Sequence, residues 1–411
     1  MTVKVPFRDV VSHYISGGWG TDAPSEASTQ VAIIRGADFP NVQVGSYGDV
    51  PIRWESNKKL PKRVLQEGDI VLEISGGTAD RPTGRTAYIS SRLLNSFTYP
   101  VIPASFCKLV RVNPEKVDSS YAYWWLQNMY QEGRAWAYQN RSTGIANFQF
   151  EYFLDTELIN LVPMKEQRAI AATLGALDDK IESNMRITRI GEELVRTLVD
   201  AALDSSTGEE IKFETYCELV RETVKPEHIS SNENYVALEH MTKGSLFLST
   251  SAKAEAIGSN KTRFKKGDIL FGKLRPYFKK VAIAPFDGVC STDILVLRPR
   301  SPKNLALVAA IAGSDALIEA VSASATGTRM PRTSWKDIAS WGVPTLDDKE
   351  REKLASETST LVARLQRLYF ENQQLALLRD ALLPELMSGR VRVPEAREVV
   401  EDTVDAEVED A

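Results

Sequence analysis

The sequence predicts an α+β chain: two α/β domains separated by two long helices that form an antiparallel intramolecular coiled coil. Three observations carry this expectation. Short motifs recur in the same order: Gly68-Asp69-Ile70-Val71-Leu72 and Gly267-Asp268-Ile269-Leu270-Phe271, Ser142-Thr143-Gly144 and Ala325-Thr326-Gly327, Val162-Pro163 and Val343-Pro344. Each Val-Pro is followed by a polar cluster and a long heptad-like apolar stripe. Each stripe holds one asparagine, Asn184 and Asn372. Repetition at so long a period means duplicated domains, not a solenoid, whose repeats run roughly 20–50 residues.

The first domain takes residues 1–163. Val31-Ala32-Ile33-Ile34 and Asp69-Ile70-Val71-Leu72-Glu73-Ile74 are strand-like runs, punctuated by turn residues such as Gly17-Gly18 and Gly76-Gly77. Ser119–Gln131 fits a helix with Ser119 or Ser120 as N-cap, its aromatic residues assigned to the core rather than to a base-stacking platform. The central helix takes 164–204, with a stripe of Ile170, Leu174, Leu177, Ile181, Asn184, Ile187, Leu194 and Leu198. Roughly 40 residues at 1.5 Å each span about 60 Å, longer than one globular core needs, so this helix requires a partner helix.

The second domain, 205–345, follows Asp204-Ser205-Ser206-Thr207-Gly208. Strands are expected at 235–238, 268–271 and 281–284, and an alanine-rich helix at 305–322, where the first domain has its own helix. The last helix, 346–390, carries Leu354, Leu361, Leu365, Leu368, Asn372, Leu375, Leu378, Leu382 and Leu386. Asn184 lies 21 positions after Pro163 (184 − 163) and Asn372 lies 28 after Pro344 (372 − 344), a difference of one heptad that preserves phase. A polar Asn in each seam is a device for fixing register at some cost in stability.

Residues 391–411 are expected to be an acidic disordered tail. Eight acids and one arginine give Glu395 to Ala411 a charge of −7, leaving +2 on the remainder of the chain (−5 minus −7). The overall negative charge does not exclude DNA binding, which depends on local charge distribution. The three cysteines form no CxxC pair and the three histidines are scattered, which gives no support to a disulfide framework or a metal site. The N-terminus lacks an apolar signal region and no run approaches about 18 apolar residues, so a cytoplasmic chain without a membrane span is expected.

In the order of these motifs the chain resembles the specificity subunits of type I restriction–modification systems. The resemblance runs from Phe7 to Arg392. It is carried by Gly68-Asp69-Ile70 with Ser75-Gly76-Gly77 and Pro82-Thr83-Gly84-Arg85, and by Gly267-Asp268-Ile269-Leu270-Phe271 with Lys273-Leu274-Arg275-Pro276-Tyr277. Val162-Pro163 with Glu166-Gln167, and the ending Leu382-Leu383-Pro384-Glu385-Leu386-Met387-Ser388-Gly389-Arg390, are similar too. The acidic tail departs from the family pattern.

The resemblance implies that both domains are target-recognition domains reading the two halves of a bipartite, asymmetric double-stranded DNA site. It implies two DNA-methylation subunits docked on the spacer helices and restriction subunits joining for cleavage. S-adenosylmethionine, ATP and Mg would serve those partners in adenine methylation and cleavage, with no cofactor on this chain.

The residues themselves offer no catalytic machinery. Gly77 to Thr86 loosely matches a P-loop, but its glycine spacing is one too long and Arg85 replaces the lysine. Asn113-Pro114-Glu115 lacks the Asn-Pro-Pro-aromatic pattern of amino-methyltransferases, and Asp268 with Lys273 is too sparse for a metal nuclease. The candidate DNA contacts are Ser75, Gly76, Gly77, Arg81 and Arg85 after the first Gly-Asp strand. Around the second they are Lys265, Lys273, Arg275, Tyr277 and Lys279, in the densest basic stretch of the chain. Thr143, Thr326 and Arg329 join them as loop residues able to touch the backbone. Glycines allow close approach to phosphate, and arginine bonds bidentately to guanine or phosphate. Trp19, on a Gly-rich loop, is either a capping core aromatic or a base contact. A standalone nuclease or methyltransferase remnant and a protein-only coiled-coil adaptor are the competing readings.

Overall fold

A computed structural model describes residues 3–398, apart from 44, 46, 48, 49, 79, 143, 144, 256 and 326–329. The chain divides into two units. One runs to Ser183 and resumes at Leu375; the other is Asn184–Gln374.

In the first unit the Gly-Asp strand, Ile70–Glu73, lies inside an antiparallel four-stranded sheet ordered Val11–Ser16, Cys107–Val112, Ile70–Glu73, Thr86–Tyr88. A second sheet of three strands orders Ile52–Ser56, Ser28–Ile34 and Val101–Pro103. Ile70, Leu72, Ile33, Ile34, Tyr121 and Phe153 are fully buried, the expected fate of aliphatic and aromatic side chains on inward faces. The helix Ser119–Gln131 is capped by Asp118, whose carboxylate accepts from Tyr121 N at 3.1 Å, rather than by either serine. Its aromatics Tyr121, Tyr123, Trp124 and Trp125 are buried.

The second unit repeats this plan. Ile269–Gly272 sits within the order Cys217–Val220, Ile294–Pro299, Ile269–Gly272, Val281–Ile283. A five-stranded sheet replaces the three-stranded one. The helix expected at 305–322 is two helices, Leu305–Ala312 and Asp315–Ser324, because Ser314 caps a new helix by accepting from Leu317 N at 3.3 Å. Both pack into the buried core of this unit.

The repeated Gly-Asp has a physical cause. Gly68 and Gly267 have φ of 84° and 86°, a left-handed turn that only glycine adopts cheaply. Each following aspartate then closes its turn, Asp69 Oδ2 accepting from Gln66 N at 2.7 Å and Asp268 Oδ2 from Lys265 N at 2.8 Å. Each also holds an arginine of the adjacent strand through two bonds, Arg111 to Asp69 (both 2.7 Å) and Arg298 to Asp268 (2.8 and 2.7 Å).

The long helices are Met164–Ser205 (42 residues) and Asp348–Ser388 (41 residues). In the first unit Ile170, Leu174, Leu177 and Ile181 are buried, and Arg379 Nη1 donates to Asp178 Oδ1 at 2.6 Å. In the second, Asn184 Nδ2 donates to Asn372 Oδ1 at 2.9 Å, and Asn184 is 1% exposed. Gly191 lies under Leu365: a Cβ there would stand 2.8 Å from both Leu365 δ-carbons. Seven residues forward on one helix (191 − 184) thus match seven backward on the other (372 − 365), the mark of antiparallel pairing.

The expected stripe is corrected beyond Asn184. Ile187 and Leu194 are 37% and 49% exposed, and the buried positions are Gly191, Glu192, Val195 and Val199. After Asn184 the 3–4 spacing continues through 188, 191, 195 and 199, and Gly191 accommodates the Leu365 side chain.

In the segment expected to be a disordered tail, residues 393–398 form a short helix with Ala396 fully buried, begun by a bond from Arg392 N to Glu395 Oε2 at 3.0 Å. The rest of that tail, 399–411, lies outside the described residues.

Candidate nucleic-acid interface

Register places distant motifs side by side at the end of each Gly-Asp strand. In the first unit Ser75–Gly76 leaves the strand and pairs antiparallel with the hairpin strand Ile145–Phe148, Ser75 opposite Asn147 and Gly76 opposite Ala146. Ser75 Oγ donates to Asn147 Oδ1 at 3.1 Å. The turn before Cys107–Val112 closes the other side, where Phe106 O accepts from Ile74 N at 2.9 Å and Ser75 N at 3.3 Å. Asn147 is exposed, and Phe106 is 63% exposed.

The second unit builds the same end from different side chains. Leu274 bridges Arg332 antiparallel, as Ser75 pairs with Asn147. Asp293 O accepts from Lys273 N at 2.9 Å, as Phe106 O accepts from Ile74 N. Arg332 Nε donates to Asp293 Oδ1 at 3.3 Å. Arg275 and Lys279, with φ of 50° and 49°, enclose the turn Pro276–Phe278, and these are the non-glycine positive-φ residues among those described. Such backbone costs on the order of 1 kcal/mol per residue and concentrates at functional loops. Tyr277 is 48% exposed, its ring centroid 4.8 Å from that of Phe278.

The sequence-derived candidates separate into groups. Ser75, Gly76, Gly77 and Arg81 share one loop region, and Lys273, Arg275 and Tyr277 share its counterpart. Arg81, Lys273 and Arg275 have no charged partner among the described residues. Arg85 faces inward: its guanidinium donates to both Glu73 oxygens at 2.9 and 2.7 Å and to Gly36 O at 2.7 Å. Thr78 N donates to Arg81 O at 2.8 Å. Lys279 pairs with Asp315. Lys265 is exposed but lies before the Gly-Asp strand, at the end opposite Lys273. Thr143, Thr326 and Arg329 lie outside the described residues. Trp19 is 42% exposed with the Arg53 guanidinium 4.8 Å from its ring centroid, so it is a surface aromatic rather than a core cap.

Sequence reasoning overlooked Phe106, Asn147, Asp293 and Arg332, because strand register alone brings them to these ends. It also overlooked Arg221. That exposed cation lines a groove of about 410 Å³ with Lys273, Thr223, Thr262 and Thr292 among apolar residues, and its cations suit a phosphodiester backbone. Among the described residues no three metal-ligating side chains cluster, and no single helix is long and apolar enough to cross a membrane.

Residues 35–190 match the family model of the type I restriction modification DNA specificity domain. That stretch is similar to a type I DNA specificity domain. A 109-residue stretch is 28% identical to the specificity subunit of the type I restriction enzyme EcoDI of Escherichia coli, covering 26% of this chain and 24% of that subunit. The match to this curated relative therefore spans about a quarter of its length. The fold is similar to the crystal structure of the type I restriction–modification S subunit from M. genitalium, with a TM-score of 0.56 and 15% identity over 94% of this chain and 96% of that one. The matched stretch includes the first Gly-Asp strand, the Asn147 strand and the start of the central helix. The plan of the whole chain is that of two α/β domains and two long helices paired antiparallel.

Proposed function

We propose that this chain is the sequence-specific double-stranded DNA recognition subunit of a type I restriction–modification complex. Each unit reads one half of a bipartite, asymmetric site, and the paired helices hold unread base pairs between the halves. One observation carries the reading. The Asp69–Arg111 and Asp268–Arg298 clamps build the same scaffold twice, while the side chains at the scaffold ends differ. Duplicated frames with different reading ends suit an asymmetric site, and the helix length sets the half-site spacing, as in other two-headed DNA readers.

The chain is non-catalytic by itself. Two DNA-methylation subunits dock on the long helices and carry out adenine methylation, and restriction subunits join for cleavage. S-adenosylmethionine, ATP and Mg act on those partners, in the cytoplasm. Lys273, Arg275 and Arg221 in the second unit, and Arg81 in the first, supply phosphate contacts.

The test uses the purified chain with and without its methylation subunit. The chain alone transfers no methyl group and cuts no DNA with divalent metal, whereas the complex methylates adenine in a defined site. Activity of the chain alone supports the enzyme reading instead. A complex that binds no duplex DNA supports the protein-only adaptor.

A further inference from the structure

The two scaffold ends are superimposable in register, so their differing side chains can be compared position by position. In the first unit Ile70 to Glu73 pairs with Val110 to Cys107; in the second Ile269 to Gly272 pairs with Leu297 to Ile294. One step further, Ile74 N donates to Phe106 O and Lys273 N to Asp293 O, both at 2.9 Å. Phe106 and Asp293 therefore occupy equivalent backbone positions. So do Ser75 and Leu274, and across from them Asn147 and Arg332.

Resting on the DNA-reading function above, we propose that these equivalent positions determine base specificity. The first unit reads an A·T pair with Asn147 and Phe106. The second reads a G·C pair with Arg332, positioned by Asp293.

The chemistry of each set supports this assignment. Asn147 is exposed, and its Oδ1 accepts from Ser75 Oγ with one lone pair, which orients the amide plane. The second lone pair and the Nδ2 hydrogens remain to meet adenine N6 and N7. Phe106, 63% exposed on a turn fixed by two backbone hydrogen bonds, offers an apolar surface on the other side of Ser75, the partner a thymine methyl requires. In the second unit the Arg332 side chain is 49% exposed and tethered at Nε to Asp293, which leaves its terminal nitrogens for guanine O6 and N7. Asp293 is thus a positioning residue. These side chains are the neutral–apolar and charged versions of one site, not scattered surface residues.

The experiment is methylome sequencing of a host that lacks other adenine methylation and expresses this chain with its methylation subunit. Asn147→Ala and Phe106→Ala relax preference roughly tenfold at an A·T position in one half-site and leave the other half unchanged. Phe106→Leu, which keeps an apolar contact, retains the wild-type preference. Arg332→Ala relaxes a G·C position by a similar factor in the opposite half. Asp293→Asn reduces discrimination at that same position without abolishing methylation. All these side chains are at least partly exposed, and unchanged thermal unfolding verifies that each variant folds. A two-part wild-type motif that every variant leaves unaltered overturns this inference alone, as does relaxation at a base pair of the other type. A wild-type motif that is not two-part overturns the proposed function and this inference with it.

Discussion

Asp69 grips Arg111 through both carboxylate oxygens at 2.7 Å, and Asp268 repeats the grip on Arg298 at 2.8 and 2.7 Å. Both aspartates are 2% exposed or less, and each also bonds the backbone of its own turn. Burying a carboxylate is tolerable when its lone pairs are filled in this way, and removing the partner strands it.

Asp268→Ala is therefore expected to destabilise the second unit by about 2–4 kcal/mol, below the range for a fully buried pair because Arg298 is a third exposed. Asp69→Ala acts alike on the first. Urea unfolding of the full chain measures this; a loss under about 0.5 kcal/mol would place the clamp among ordinary surface ion pairs.

The asparagine pair makes a second prediction. Replacing both Asn184 and Asn372 with leucine removes both ends of a buried polar bond and is expected to raise stability by about 1 kcal/mol while loosening register. An unchanged or lower unfolding midpoint counts against a paired, buried role.

His240 predicts a pH dependence. Its Nδ1 accepts from Ala237 N at 2.9 Å, which requires the neutral ring, and burial holds its pKa below the ordinary value, with nearby Lys280 acting in the same direction against Glu239. The unfolded state then binds more protons than the folded state below about pH 6.5, so stability is complete above that value and declines as pH falls. His240→Asn, which keeps an acceptor that does not titrate, is expected to flatten that decline in a pH series of thermal unfolding. An unchanged slope would remove His240 from the account.

DNA affinity supplies the fourth prediction. Arg275→Ala or Lys273→Ala weakens cognate binding and lowers its salt slope by about one each, and Arg329→Ala weakens it also. Wild-type affinity should fall steeply between roughly 50 and 200 mM salt. Affinity indifferent to salt over that range removes the phosphate contacts.

Much of this architecture was legible in the sequence, for local reasons. A Gly-Asp repeat announces a left-handed turn entering a strand, and asparagines in apolar stripes announce paired helices. The arginine partners were not legible, because Arg111 and Arg298 lie 42 and 30 residues beyond their aspartates on neighbouring strands. The stripe failed at Gly191, since a glycine that makes room for Leu365 carries no apolar signal, whereas the outward Ile187 and Leu194 do. Arg85 read as a free cation because Glu73, its partner on the strand before it, belonged to an apolar run. Phe106, Asn147, Asp293 and Arg332 depend on cross-strand register, which pattern alone does not specify.

In the proposed function each unit reads its own half-site. The direct measurement replaces the second unit's domain, between the two long helices, with that of a relative of different specificity and compares the methylated motifs of the two complexes in the same host. The expected result is that one part of the motif is exchanged while the other part and the spacing stay as they were. A motif that stays whole, or changes in both parts together, contradicts it.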